Sequence, residues 1–312
     1  MKSSRPSLPP RLRVAAAQMK FRPELGGNLA WIERAIARAA QRGADVVLFP
    51  ECATTGYAVD FSRLDRSELH AAIAHIGRCA ERHRIHVLVG SPVFEGRRLF
   101  NALLVFDPAG RLVHRYAKCQ LTEADRRWFT PGNALALFEV AGVPATAIIC
   151  HERRYPELVR LPVMAGARII FHPNAGLDPL AVSRRKRNGR DGIAVRAFEN
   201  AVPYVFANSV GPQGGGRWSA GDSKIVAADG TVLRLAGNLR EALIIAELDL
   251  TQATGKYAVE GVGSPQFLTA GWRRMIAKVQ AQARASAKRL GSAPRNHSCT
   301  SNTRGGNPTS RG

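Results

Sequence analysis

Val143-Pro-Ala-Thr-Ala-Ile-Ile-Cys150, followed at once by His151-Glu-Arg-Arg-Tyr-Pro-Glu157, is the stretch from which the fold is read. Val143, Thr146, Ile148 and Ile149 are β-branched and favour a buried strand, while the charged run and Pro156 favour a sharp turn into a helix beginning near Glu157. A thiol then stands at the tip of a strand, in the outline of a nucleophile elbow. Held there, Cys150 can face a cleft while the backbone N–H of His151 is aimed at a developing oxyanion. An isolated cysteine in such a run is more often an ordinary buried strand residue. Two other segments of the same form argue against that reading here.

Asp45-Val-Val-Leu-Phe-Pro-Glu51 is a short apolar strand stopped by Pro50, which delivers the Glu51 carboxylate to its carboxyl end. Arg111-Leu-Val-His-Arg-Tyr-Ala-Lys118 alternates apolar and polar positions, reads as a half-exposed strand, and delivers the Lys118 ammonium to its end. A carboxylate, an ammonium and a thiol thus leave three strands. In open sheets built from βα units, ligands bind beyond the carboxyl ends of strands.

Phe49-Pro50-Glu51, Tyr116-Ala-Lys118 and Ile149-Cys150-His-Glu-Arg-Arg154-Tyr-Pro-Glu157, in that order, resemble the nitrilase superfamily of carbon-nitrogen hydrolases over residues 12–250. Thr55-Gly56-Tyr57, Phe129-Thr-Pro-Gly132, Arg196-Ala-Phe-Glu-Asn200, Ala207-Asn208 and Gly221-Asp-Ser223 before Asp229-Gly230 agree with it. The resemblance implies an α/β fold, a four-layer αββα sandwich, with a Glu-Lys-Cys triad carried by Glu51, Lys118 and Cys150. It also implies assembly through outer helices into a homodimer or larger homo-oligomer.

The chemistry suits those residue types without the family name. Attack on an amide carbon needs a thiolate, which calls for a base or cation beside the cysteine. Glu51 can take the thiol proton and later pass it to the leaving amine, and Lys118 can hold the oxyanion together with the His151 N–H. Water activated by Glu51 then hydrolyses the thioester, and no metal or organic cofactor is required. The expected partner is a small amide or carbamoyl substrate.

Departures from the family pattern refine this. Many members carry a second glutamate four residues before the Phe of the Phe-x-Pro-Gly stretch; here that position is Asp125, with Glu123 two residues earlier. Either Asp125 serves from a shifted backbone, Glu123 replaces it, or both acids solvate a loop containing Arg126 and Arg127. After the nucleophile, true nitrilases typically have Trp-Glu, and His151-Glu152 argues for an amide rather than a nitrile. Arg153-Arg154 resembles the pair in N-carbamoyl amino acid amidohydrolases, but no histidine lies between Cys119 and Ile149 as it does in those relatives. Arg154 is therefore read as bonding the turn and Arg153 as a candidate contact for a substrate carboxylate. Asn174, in the loop expected over 171–176, is a candidate substrate hydrogen-bonder, and His172 reads as a loop residue rather than a base.

The formal charge of +21 suggests nucleic acid until it is divided along the chain. Residues 271–312 hold nine Lys or Arg and no acid, and 1–13 hold four more, so the remainder keeps 32 basic against 24 acidic residues, a net of +8, and most of the excess lies in the tails. The Arg184-Arg-Lys-Arg187 cluster with Arg190 lacks interleaved aromatics, which disfavours nucleic-acid binding. A basic nucleic-acid-binding protein stays as the alternative from another class, an N-carbamoyl or ureido-acid amidohydrolase as the alternative within enzymes. The expected division is a flexible segment 1–10, a hydrolase domain 11–275, and a basic tail 276–312 too poor in apolar residues to fold from Ser292 onwards. The five cysteines, 52, 79, 119, 150 and 299, show no C-x-x-C spacing, so neither disulfides nor a zinc site is indicated. No apolar run approaches membrane length, and a reducing cytoplasm suits a free thiol.

Overall fold

The computed structural model describes residues 8–185, 192–214 and 216–291. The far terminus from Ser292, Cys299, and Lys186, Arg187 and Arg190 of the basic cluster lie outside the described residues.

Strand β1 (Arg11–Gln18) leads through helix α1 (Leu25–Gln41), β2 (Val46–Leu48), α2 (Arg66–His83), β3 (His86–Glu95), β4 (Arg98–Phe106) and β5 (Leu112–Ala117) to the nucleophile region. There β6 (Phe138–Val140) and β7 (Val143–Ala147) precede α3 (Glu157–Met164) and β8 (Ile169–Asn174). Then come β9 (Asp178–Pro179), α4 (Leu180–Arg185), α5 (Ile193–Asn200), β10 (Tyr204–Asn208), β11 (Val210–Pro212), β12 (Arg217–Ala220), β13 (Lys224–Val226), β14 (Val232–Leu235) and β15 (Ala242–Asp249). Helices α6 (Lys256–Glu260) and α7 (Gln266–Gly291) finish the described chain.

Two six-stranded sheets, ordered β15-β1-β2-β3-β4-β5 and β14-β13-β10-β8-β7-β6, stack face to face, and a small sheet β11-β12-β9 flanks them. The centres are parallel, β1 with β2 and β2 with β3 in one sheet, β7 with β8 and β8 with β10 in the other. Because side chains alternate along a strand, Val14, Ala16, Val46 and Leu48 meet Ala145, Ala147, Phe171 and Val205 between the sheets. Ala15, Ala17 and Val47 point outward onto Ile32 and Ile36 of α1 and Ile76 of α2. Ile170, Tyr204 and Phe206 of the second sheet pack outward on Val159 and Val163 of α3 and Ala197 of α5. The result is the expected αββα sandwich.

Two expectations are corrected. The strand after α3 continues through His172 to Asn174, so those residues are strand, not loop; β8 pairs in register with β10 as far as Asn174–Asn208. Residues 276–291, expected as tail, are helix. Val279 is buried among Leu161 and Ala165 with Trp272 and Ile276 beside it, and Gln280 and Gln282 donate to the carbonyls of Ala165 and Asn133 at 3.0 and 3.1 Å. The charge of this segment masked an apolar spacing that covers the edge strand β5.

Candidate active site

The strand β7 stops at Ala147, and the chain reaches Cys150 through two buried isoleucines. Cys150 itself adopts φ +53 and opens a 3-10 turn, Cys150–Arg154, so the expected elbow is present in the left-handed conformation that a non-glycine residue adopts only under constraint. The first bond of that turn runs from the Glu152 N–H to the Ile149 carbonyl at 3.1 Å. The N–H groups of Cys150 and His151 precede it and have no partner within the turn.

Glu152 constrains the turn from inside. Its fully buried carboxylate accepts from the Ile149 N–H at 2.7 Å, the Cys119 N–H at 2.6 Å, the Gln120 N–H at 3.0 Å and the Tyr116 hydroxyl at 2.9 Å. Burial raises its pKa against these hydrogen bonds, which favour the charged form. One carboxylate therefore ties the residue before the thiol to residues on both sides of Lys118. From the other side, neutral His172 bridges the Cys150 carbonyl at 3.1 Å and the Tyr204 hydroxyl at 3.0 Å. Burial, helped by the Arg153 charge, holds its pKa well below the ordinary histidine value. With Tyr204 donating to Nδ1, Nε2–H is the nitrogen that donates to Cys150.

Glu51, Lys118 and Asp125 converge at the same place, all buried. Lys118 Nζ donates to Glu51 Oε1 at 2.7 Å and to Asp125 Oδ2 at 2.9 Å. Burial opposes the ammonium charge, but Glu51, Cys150 and Asp125 overcome it and hold the pKa well above that of a free lysine. Burial likewise works against the Asp125 charge, yet Lys118, the Tyr57 hydroxyl at 2.6 Å and the Thr122 N–H at 2.9 Å bring its pKa below the usual value. Glu123 is exposed. Of the two acids considered from sequence, Asp125 is the one that reaches the ammonium.

Sequence reading missed two of the groups on Glu51. Asn101, in the middle of the apolar strand β4, donates from Nδ2 to Glu51 Oε1 at 2.7 Å, and its carbonyl accepts the Lys118 N–H at 2.8 Å. The Ala175 N–H, from the second sheet, donates to Glu51 Oε2 at 3.0 Å. A buried asparagine flanked by Phe100 and Ala102 was the available signal, since such a group needs partners. The Cys150 thiol is pushed up to about 12, chiefly by burial and then by the Glu51 carboxylate, with Lys118 and the Ala175 N–H opposing.

Cys150 lines a cavity of about 330 Å3 with His151, Arg153, Arg154, Asn174 and Arg217. Asn208 donates to the Gly221 carbonyl and accepts from Asn174 Nδ2 at 2.8 Å, and Asn174 Oδ1 is buried without a partner among the described residues. Arg154 does not bond the turn as expected; it is exposed at the cavity. Away from this site, Glu33, His75 and Cys79 bring three possible metal-ligand atoms within 4.8 Å, but Glu33 is already held by His75 at 3.0 Å and Arg82 at 3.1 Å.

A sandwich of this kind, with a thiol, a carboxylate and an ammonium gathered at its strand ends, defines a class of hydrolases. The carbon-nitrogen hydrolase family model matches residues 13–256, and the chain belongs to that family: it is an amidase-type hydrolase of non-peptide carbon–nitrogen bonds. It is 28% identical over 216 residues to the 2-oxoglutaramate amidase of Bacillus subtilis, covering 67% of this chain and 80% of that one. Identity to the nitrilase of Pyrococcus abyssi is 26% over 249 residues, 76% of this chain and 90% of that one. Among solved structures, the amidase of Nesterenkonia sp. AN1 superposes with a TM-score of 0.72 at 26% identity, covering 84% of this chain and 99% of that one.

Proposed function

We propose that this protein hydrolyses a small amide through a thioester on Cys150, with Glu51 as the proton carrier and Lys118 as the oxyanion donor. The observation that carries the reading is Lys118 Nζ, which gives two of its three N–H donors to Glu51 and Asp125 and keeps one for the substrate beside Cys150. As sulfur attacks the amide carbon, the S–H proton passes to Glu51 and the C–S bond forms. The negative charge on the carbonyl oxygen is met by Lys118 and by the His151 N–H. The C–N bond then breaks, Glu51 returns the proton to nitrogen, and ammonia or an amine leaves. Water, losing a proton to Glu51, attacks the thioester; the acid departs and the proton goes back to sulfur. Asp125 orients Lys118 and offsets its burial, and Asn174 Oδ1 supplies an acceptor for a substrate N–H.

The same reading makes residues 11–275 the catalytic domain, with α7 extending beyond that boundary as its cover. A homo-oligomer is supported by apolar side chains exposed on the outer helices, Phe198 and Tyr257 with ring centroids 6.5 Å apart among them. The free thiols favour a reducing, cytoplasmic setting, and no described helix is long and apolar enough to cross a membrane.

Ammonia release from a panel of aliphatic amides, ω-amido acids, N-carbamoyl amino acids and nitriles tests the proposal. Turnover should disappear in Cys150→Ala and fall roughly a hundredfold or more in Glu51→Gln. Undiminished turnover in folded Cys150→Ala would refute it.

A further inference from the structure

Three guanidinium groups border the catalytic cavity with no counter-ion among the described residues. Arg153 and Arg154 come from the turn after Cys150, and Arg217 comes from β12. None of their side chains makes a hydrogen bond or an ion pair among the described residues. That sets them apart from Arg22, Arg111 and Arg196, each of which is paired with an acid at 2.6 or 2.7 Å. Two acids share the cavity lining, Asp178 and Asp222, and Asp222 already has a cation in Lys224 at 3.1 Å. The space around the nucleophile therefore carries an excess of positive charge. Such an excess concentrates anions at the mouth of a cleft, and the planar guanidinium fork fits a carboxylate bidentately.

The three arginines differ in what they are attached to. Arg153 and Arg154 belong to the turn that sets the thiol, and the Arg153 carbonyl is itself bonded by Arg196 at 3.4 Å. Arg217 is fixed independently: its backbone pairs with Pro179 of β9, and its neighbour Trp218 pairs with Asp178 and with Pro212 of β11. It can meet a ligand without taking part in the geometry of the nucleophile. The cavity, at about 330 Å3, lies at the small end of the roughly 300–1,000 Å3 usual for ligand pockets, so what it admits is a short molecule.

Resting on the thiol-amidase reading above, we propose that the substrate is an amide whose acyl arm ends in a carboxylate, and that Arg217 is the residue that selects it. The scissile amide sits at Cys150 and Lys118, the acid group at the guanidinium of Arg217, and the short arm between them spans the cavity. A neutral amide of the same length makes every contact at the thiol and leaves the cations unpaired.

Matched pairs of substrates separate the two claims: butyramide against 4-amino-4-oxobutanoate, and valeramide against 5-amino-5-oxopentanoate, each with the wild type, Arg217→Gln, Arg217→Lys and Cys150→Ala. The wild type should prefer the acid of each pair. Arg217→Gln should lower kcat/KM on the acids roughly ten- to a hundredfold, mainly through KM, as expected for loss of a charge-assisted pair. It should leave the neutral amides within about threefold, the scatter of a site the substrate does not use. Arg217→Lys should recover part of the loss, and added salt should slow the acids only. Equal use of acid and neutral amide by the wild type, or an equal effect of Arg217→Gln on both, would overturn the selection by Arg217 while leaving the amidase intact. Release of ammonia that persists in Cys150→Ala would instead remove the thiol reading on which it stands.

Discussion

Lys118 shows what a buried cation needs. Without Glu51 and Asp125 its ammonium would not stay charged at zero exposure, and without Lys118 the two carboxylates would be uncompensated. The thiol next to this network is the group left neutral. A cysteine pushed up to about 12 keeps its proton throughout the physiological range, so the nucleophile is made during attack by transfer to Glu51 rather than stored as a thiolate. The sign of the resulting pH dependence is definite: the thiolate fraction grows about tenfold per pH unit well below the pKa. Alkylation of Cys150 by neutral 2-iodoethanol, corrected for the background in Cys150→Ala, should therefore keep rising from pH 7 to pH 9. A plateau below pH 8 would mean a preformed thiolate. At this scale the three central residues were readable because each ends a recognisable strand. Asn101 and the Ala175 N–H were not, because their relevance comes from meeting a partner more than 40 residues away, and a backbone N–H carries no residue signature at all.

Among the elements, β3 and the loop after Lys118 show how closely backbone must approach to place the site. A Cβ on Gly90 would lie 2.2 Å from the Pro50 carbonyl oxygen and 2.6 Å from Glu51 Cα; one on Gly132 would lie 2.2 Å from the carbonyl oxygen of Ala117. These glycines serve by having no side chain, since neither has a positive φ. Gly90→Ala should push the Glu51 segment off its partners and lower kcat roughly a hundredfold, the scale of a 1 Å misplacement. Gly26→Ala, where a Cβ meets nothing within 4 Å, should leave kcat unchanged. Comparison of the two variants by kcat and far-ultraviolet circular dichroism checks this, and wild-type kcat in a folded Gly90→Ala protein would show that the backbone has room. The strand pattern itself was legible from β-branched runs and alternation. The extension of β8 through His172-Pro-Asn174 was not, because Pro173 reads locally as a strand breaker. What keeps it in line is pairing with β10, a long-range interaction that overrides the local preference.

For the whole molecule, charge proved a poor guide to what folds. Helix α7 carries six Lys or Arg and no acid, yet Trp272, Ile276 and Val279 recur at helical spacing and face the body of the protein. A chain ended after residue 291 keeps the whole of this helix. One ended after residue 275 should lose Val279, Gln280 and Gln282, uncover β5, and melt several degrees lower with a tendency to aggregate. Thermal unfolding and light scattering of the two truncations decide between a cover and a dispensable appendage.

The Ala175 N–H reaching Glu51, like the bonds of the Glu152 carboxylate, is a polar link at the site, and it joins the sheet that supplies Glu51 and Lys118 to the sheet that supplies Cys150. The reacting atoms are thus held in register by the thickness of the sandwich interior. Apolar residues such as Leu103 and Phe171, which touch no substrate, act as the spacer of the active site. Trimming or enlarging them changes catalytic geometry as directly as it changes stability, which makes the core between the sheets a second and unadvertised determinant of rate.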